Sequence, residues 1–195
     1  MRPFIIITCL CLLAACQSSP RKNYFYLSAT LVPESKSITD NQGNLTQLIG
    51  IGPIELADYL NRLQMIENQT DNSLNMADNA YWAEPLDKSI PRVVALNLTS
   101  LNSNRSFVTF PWRSDSKPRY SLRLTVDSLT RNQGKASITA TWELMDNDTK
   151  SHLLRRNFSR SITVATGPKA LAQAYSNLLA ELAKEMDTAL AQVPQ

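Results

Sequence analysis

An α+β domain, its antiparallel or mixed β-sheet covered on one face by two main amphipathic helices, is predicted by three patterns in the chain. From Tyr120 to Leu144 apolar residues alternate with polar ones, with a turn at Asn132-Gln133-Gly134. Two other segments, one around Ile90 to Leu101 and one from Pro168 to about Ala191, carry apolar residues at spacings of three and four. A period of two marks a strand with one dry face, and a period near 3.6 marks a helix with one apolar stripe. A sheet that is dry on one side needs a cover, and only these helices supply one.

The chain opens with Arg2, an apolar run from Phe4 to Leu12, and then Leu13-Ala14-Ala15-Cys16. The run has the length of a signal-peptide core, well short of the roughly 20 residues that span a bilayer. Small residues before a Cys let a peptidase approach, and the thiol is then diacylated. Residues 1–15 are therefore read as a bacterial lipoprotein signal peptide and Cys16 as the lipidated first residue of the mature chain; the alternative is an ordinary secretory signal with a chance Cys. Each buried methylene contributes about 0.8 kcal/mol, so two or three acyl chains hold a protein that one chain does not. Gln17, rather than an Asp, after the Cys favours the outer membrane. Residues 16–22 form a tether in which Gln17 to Lys22 reaches about 20 Å at most, and 23–195 is expected to be one domain.

Tyr24 to Val32, rich in aromatic and branched residues, is expected to be a first strand ended by Pro33. Thr46 to Ile51 is a second, stopped by Gly52-Pro53. Asp58-Tyr59-Leu60 is a helical turn or a bend. Leu63 to Glu67 and Ser73 to Ala77 read as a hairpin joined by the polar residues Asn68 to Asn72. In the first helix Ile90, Val94, Leu98 and Leu101 share a stripe, and Pro91 is tolerated if Ser89 is the N-cap. The long hairpin follows, with Tyr120, Leu122, Leu124 and Val126 facing Ala136, Ile138, Ala140, Trp142 and Leu144. Leu153 to Val164 is a third, more polar strand. In the last helix Leu171, Tyr175, Leu178, Leu182, Met186 and Ala189 lie on one face behind Pro168.

Composition excludes several functions. The three cysteines are Cys9, Cys11 and Cys16; the first two leave with the signal and the third carries lipid, so neither a disulfide framework nor a cysteine-rich zinc site is available. The formal charge of +3 drops to +2 once Arg2 is removed, too little for a nucleic-acid surface. The five glycines show no phosphate-binding spacing. His152, the one histidine, is expected to be an exposed strand-edge residue. Glu143, Asp146 and Asp148 are expected to be solvated charges at a strand end and turn. No catalytic residue, no metal site and no cofactor beyond the covalent lipid on Cys16 is expected.

The order Cys16, Asn23-Tyr24-Phe25-Tyr26-Leu27, Asp58-Tyr59-Leu60-Asn61-Arg62, Tyr81-Trp82-Ala83-Glu84-Pro85-Leu86-Asp87, Phe110-Pro111-Trp112 resembles the PqiC (YmbA) family of ABC-type transport auxiliary lipoproteins. The most specific stretch is Trp82 to Asp87. Ala57 and Leu63 stand where members often have Pro. The resemblance implies a non-catalytic, homo-oligomeric lipoprotein of the Gram-negative outer membrane, facing the periplasm. Its implied partner is an MCE-domain tunnel protein, PqiB-like, that carries lipid between membranes. A second function is kept beside it: an envelope-assembly or structural lipoprotein bound to an outer-membrane barrel or the cell wall. A third, a lipid-anchored hydrolase, would rest on Glu143 or Asp146.

Candidate partner or subunit contacts are Asp58, Tyr59, Trp82, Pro85, Pro111 and Trp112. Each has a plainer reading: Trp82 plugs the core beneath the helix start, Asp58-Tyr59 is a turn with an inward Tyr, and Pro111 ends a strand. Tyr24 and Tyr26 share a strand face, expected to pack in the core or at an edge. Arg155, Arg156 and Arg160 are a solvated strand face, or meet headgroups or an acidic partner.

Overall fold

The computed structural model describes residues 21–30, 47–70, 72–102 and 104–192. Cys16 and the expected signal segment lie outside them, as do residues 31 and 32 of the expected first strand and residue 46 of the second. The chain runs β1 (Asn23–Phe25), β2 (Gln47–Leu56), a 3-10 turn (Asp58–Leu60), β3 (Gln64–Thr70), β4 (Ser73–Trp82), α1 (Leu86–Leu101), β5 (Arg105–Thr109), a second 3-10 turn (Ser114–Ser116), β6 (Tyr120–Asn132), β7 (Lys135–Asp146), β8 (Ser151–Thr163) and α2 (Pro168–Leu190). This is the predicted α+β fold, with the strands divided between two sheets. The larger has the order β5-β2-β6-β7-β8 and the smaller β1-β4-β3. β2 pairs in parallel with both β5 and β6, whereas β6, β7 and β8 are antiparallel, so the larger sheet is mixed.

The dry face of the β6–β7 hairpin is the floor of the core. Leu122, Leu124, Val126, Ile138, Ala140 and Trp142 are buried there, opposite Val93, Val94 and Leu98 of α1 and Leu171, Leu178 and Leu182 of α2. α1 and α2 pack on each other; α1 covers β2 and β5, and α2 covers β6, β7 and β8. Trp142, the largest fully buried side chain, satisfies its indole N–H by donating to Glu185 Oε1 of α2 at 3.1 Å. Leu101, expected on the α1 stripe, is exposed, because the stripe runs off the core in the helix's last residue.

Four local expectations are corrected. The first strand is only three residues long: beyond Phe25 the chain leaves the sheet to lie along the helices. There Ser28 N–H donates to Ser176 Oγ of α2 and Thr30 N–H to Asn97 Oδ1 of α1, both at 3.1 Å, while Leu27 is buried. Helix side chains thus satisfy backbone groups that a strand partner was expected to take. β2 does not stop at Gly52-Pro53. Gly52 holds φ +114°, a left-handed conformation open to glycine, and the pairing with β6 shifts between Ile51 and Ile54, so a bulge carries the strand past the proline's missing donor. The β3–β4 pairing continues to Thr70 and Ser73, beyond the expected strand end at Glu67, and β4 extends to include Trp82. Finally, α1 starts three residues before Ser89. Lys88 and Ser89 N–H both reach Pro85 O, so Pro85 is the cap and Pro91 lies inside the helix.

Candidate docking surfaces

The six candidate contact residues fall in two places on opposite sides of the larger sheet. Asp58, Tyr59, Trp82 and Pro85 gather on the helix side, near the start of both helices. Ala57 N–H donates to Val126 O at 3.0 Å and Leu60 N–H to Ala57 O at 2.8 Å, which pins the 3-10 turn to β6. Ala57 has φ −55°, a value Pro also adopts, yet Pro would lose the bond to Val126. Leu60 is buried, Asp58 is exposed, and Tyr59 lies between, its hydroxyl donating to Asp127 O at 3.4 Å. Partial burial raises the Tyr59 phenol above its ordinary pKa.

Trp82 is 5% exposed, with its ring 6.3 Å from that of Tyr175 on α2. It offers almost no surface, whereas Pro85 beside it is exposed. Between the 3-10 turn and this corner lies a shallow depression lined by Leu60, Arg62, Gln64, Ile66, Trp82 and Tyr175, among others. Burial pushes the Tyr175 hydroxyl well above the ordinary phenol range, so it stays protonated at any working pH.

The second place is on the outer face. Ile49 and Ile51 of β2 point into the core, so Gly50 points away from it, and there the ring of Trp112 and the ring of Pro118 lie on its backbone. A Cβ at residue 50 would meet Trp112 Cζ3 and Pro118 Cγ at 2.8 Å. Phe110 stands edge-on to Trp112, centroids 5.0 Å apart, and is 50% exposed; Pro111 is exposed as well. This is an aromatic ridge held by its contact with a glycine, half of it facing solvent.

The carboxylates are not one solvated group. Asp146 is 5% exposed and accepts N–H bonds from Asp148 at 2.9 Å and Thr149 at 3.1 Å on Oδ1, and Arg119 on Oδ2 at 3.3 Å. Those bonds, the Thr149 N–H foremost, hold its pKa below the ordinary carboxylate value despite burial. Its neighbour Asn147 is buried too, donating to Pro118 O and accepting from Ser121 Oγ, so the group locks the β7–β8 turn onto the start of β6. Glu143 lies inside β7, between Arg123 and Arg155 in register, with Arg155 Nε at 3.4 Å and His152 Nδ1 at 3.2 Å. Only Asp148 is solvated as expected. His152 is exposed on the edge strand β8.

The three arginines also separate. Arg155 faces outward with Glu143, while Arg156, exposed and in register with Trp142, and Arg160 lie on the helix side, Arg160 3.7 Å from Glu185 and stacked over Phe158. Among the described residues, no three His, Cys, Asp or Glu side chains are placed to hold a metal ion, and no helix is long and apolar enough to cross a membrane.

Two features were missed in the sequence. Arg105 is buried and joins the end of α2 to β2; an Arg after a polar loop carries no local sign of this. Tyr24 and Tyr26 are 60% and 66% exposed, on and just after β1, an edge strand of the small sheet.

Comparison with known proteins identifies the family. The family model described as ABC-type transport auxiliary lipoprotein component matches residues 26–187. The chain belongs to this family. Consistent with membership, it is 25% identical over 193 residues to the intermembrane transport lipoprotein PqiC of Escherichia coli K12, covering 95% of this chain and 98% of that one. The fold is shared with the crystal structure of an uncharacterized protein, TM-score 0.70 at 19% identity, covering 88% of this chain and 99% of that one. It is also shared with protein XCC0632 of Xanthomonas campestris, TM-score 0.66 at 15% identity, covering 85% and 92%. Family membership makes this chain an accessory lipoprotein of a transport system, and the lipoprotein family is membrane-associated.

Proposed function

We propose that this protein is a non-catalytic docking lipoprotein of the outer membrane, anchored through acylated Cys16 and facing the periplasm. It receives the periplasmic end of an MCE-domain tunnel protein and assembles as a homo-oligomer around it. The observation that carries the proposal is the match to PqiC along nearly the full length of both chains. The physical reading supports it: the polar networks around Asp146 and Glu143 are occupied in holding strands together, and the protein acts through surfaces, without a cofactor. Of the candidate contacts, Asp58, Tyr59 and Pro85 on one side and Pro111 and Trp112 on the other present area to a partner or a second copy, while Trp82 supports the first group from beneath.

The test is purification of the tagged, full-length protein from membranes in mild detergent, with mass analysis of what accompanies it. Recovery of an MCE-domain protein, in a complex containing several copies of this chain, is the expected result. Reproducible recovery of an outer-membrane barrel or of peptidoglycan fragments, without any MCE protein, would overturn the proposal in favour of an envelope-assembly role.

A further inference from the structure

The exposed tyrosines lie directly after the tether. Tyr24 on β1 is a register partner of Tyr81 on β4, with ring centroids 6.0 Å apart, and Lys22 Nζ lies 5.2 Å from the Tyr81 ring. Tyr26 extends the row. Leu63, 46% exposed, lies at the same end of the small sheet on the far side of β4, where its carbonyl accepts the N–H of Trp82; Arg21 and Arg62 are exposed at this end too, Arg62 also lining the depression beside Trp82. Three phenols, one leucine and three cations therefore share one corner of the small sheet.

We infer that this corner, Arg21, Lys22, Tyr24, Tyr26, Arg62, Leu63 and Tyr81, rests on the anionic lipid surface to which Cys16 is tied; the inference depends on the anchor reading of Cys16. Two observations choose a bilayer as the occupant. The first is reach: residues 17–22 span about 20 Å at most, so the corner nearest the tether is held at the headgroup layer. The second is chemistry. Tyr presents an apolar ring with a polar tip, the combination enriched at membrane interfaces, and Arg and Lys rest their stems on apolar surface while their heads meet phosphate. Each cation near an anionic surface adds to the attraction, a second signal beside the acyl chains. The patch also sets orientation. It lies at the end of the molecule where Trp82 meets the first turns of α2, near the Lys135–Thr163 pair that closes one end of β7 and β8. The opposite end, at Ser151, lies roughly 35 Å away along β7 and faces the periplasm.

The mature chain has no thiol other than Cys16, so an introduced cysteine can be labelled alone. The full-length, lipidated protein carrying Tyr26→Cys, Tyr24→Cys or Ser151→Cys is spin-labelled and reconstituted in phosphatidylethanolamine/phosphatidylglycerol vesicles. Collision with lipid-soluble oxygen is compared with collision with a water-soluble nickel chelate. The expected oxygen-to-nickel ratio is several-fold higher at residues 24 and 26 than at 151. Vesicles that float with the protein while all three labels are equally open to nickel overturn the inference and leave the anchor standing. Labels at 24 and 26 shielded from both reagents also overturn it, because a protein partner then covers the corner. A protein that does not float overturns the inference together with the anchor.

Discussion

Replacing Arg105 with Met tests how the end of the last helix is held. The Arg105 side chain is 6% exposed on β5, an edge strand of the larger sheet. Its Nη2 donates to Leu190 O at 2.7 Å, its Nε to Gln47 Oε1 at 3.1 Å, and its Nη1 lies 3.8 Å from Asp187 Oδ1. The helix end carries partial negative charge and unpaired carbonyls, so a buried cation there acts both as donor and as countercharge. A hydrogen bond to a charged group contributes about 1.5–3 kcal/mol. The contact with Asp187, long and 27% exposed on the acid side, contributes well under 1 kcal/mol. Met keeps the apolar stem but leaves Leu190 O without its donor, and the relief of guanidinium desolvation offsets part of the loss. The net expectation is a destabilisation of about 3 kcal/mol, hence a melting temperature lower by about 6–12 °C for a domain of this size. Urea titration, with an unchanged slope, measures the energy, and hydrogen exchange should show the final turn of α2 losing protection ahead of the rest. Arg105→Lys keeps the charge but not the fork, and should recover about half. A loss below about 1 kcal/mol for the Met variant would refute the reasoning.

Three further outcomes are expected. Gly50→Ala should destabilise by about 1–3 kcal/mol and lift Trp112 from the sheet, seen as red-shifted, more quenchable tryptophan emission; unchanged emission and stability would show that the ridge does not depend on that contact. Asp146→Asn should narrow the stability gap to the wild type in acid: because the folded pKa is lowered, the carboxylate's contribution is complete above about pH 4 and disappears as pH falls through the folded value, so thermal melts at several pH values should converge only in acid. Cys16→Ser should leave the amino-terminal peptide unacylated by mass spectrometry and move the protein out of the membrane fraction; retention there would contradict the anchor.

The contrast between what was legible and what was not follows the range of each interaction. β6 and β7 were readable because each alternates on its own, and the register follows from a tight turn: Leu122, Leu124 and Val126 are buried as expected, paired with Leu144, Trp142 and Ala140. The spacing of Leu171, Tyr175, Leu178 and Leu182 likewise fixes a helix face without reference to any partner. The segment after Phe25 was misread because its composition suits a strand, while Asn97 and Ser176, 67 and 148 residues distant, capture its backbone. Gly52-Pro53 looked like a terminator because a proline removes a ladder donor, and only the position of β6 shows that a bulge absorbs it. Asp146 has the same neighbours in sequence whether solvated or buried; Arg119, brought across by the hairpin, decides the matter in part.

From the amino acids alone come the expectation of a lipoprotein signal ending at Cys16, the α+β class and the family resemblance, because each depends on residues close together or on fixed motifs. The tertiary structure alone divides the strands between two sheets, exposes Tyr24 and Tyr26, buries Trp82, and parts the candidate contacts onto opposite faces. Those outcomes depend on which distant groups meet, and a chain's local pattern states what each segment needs to bury or bond without stating which remote segment will meet that need.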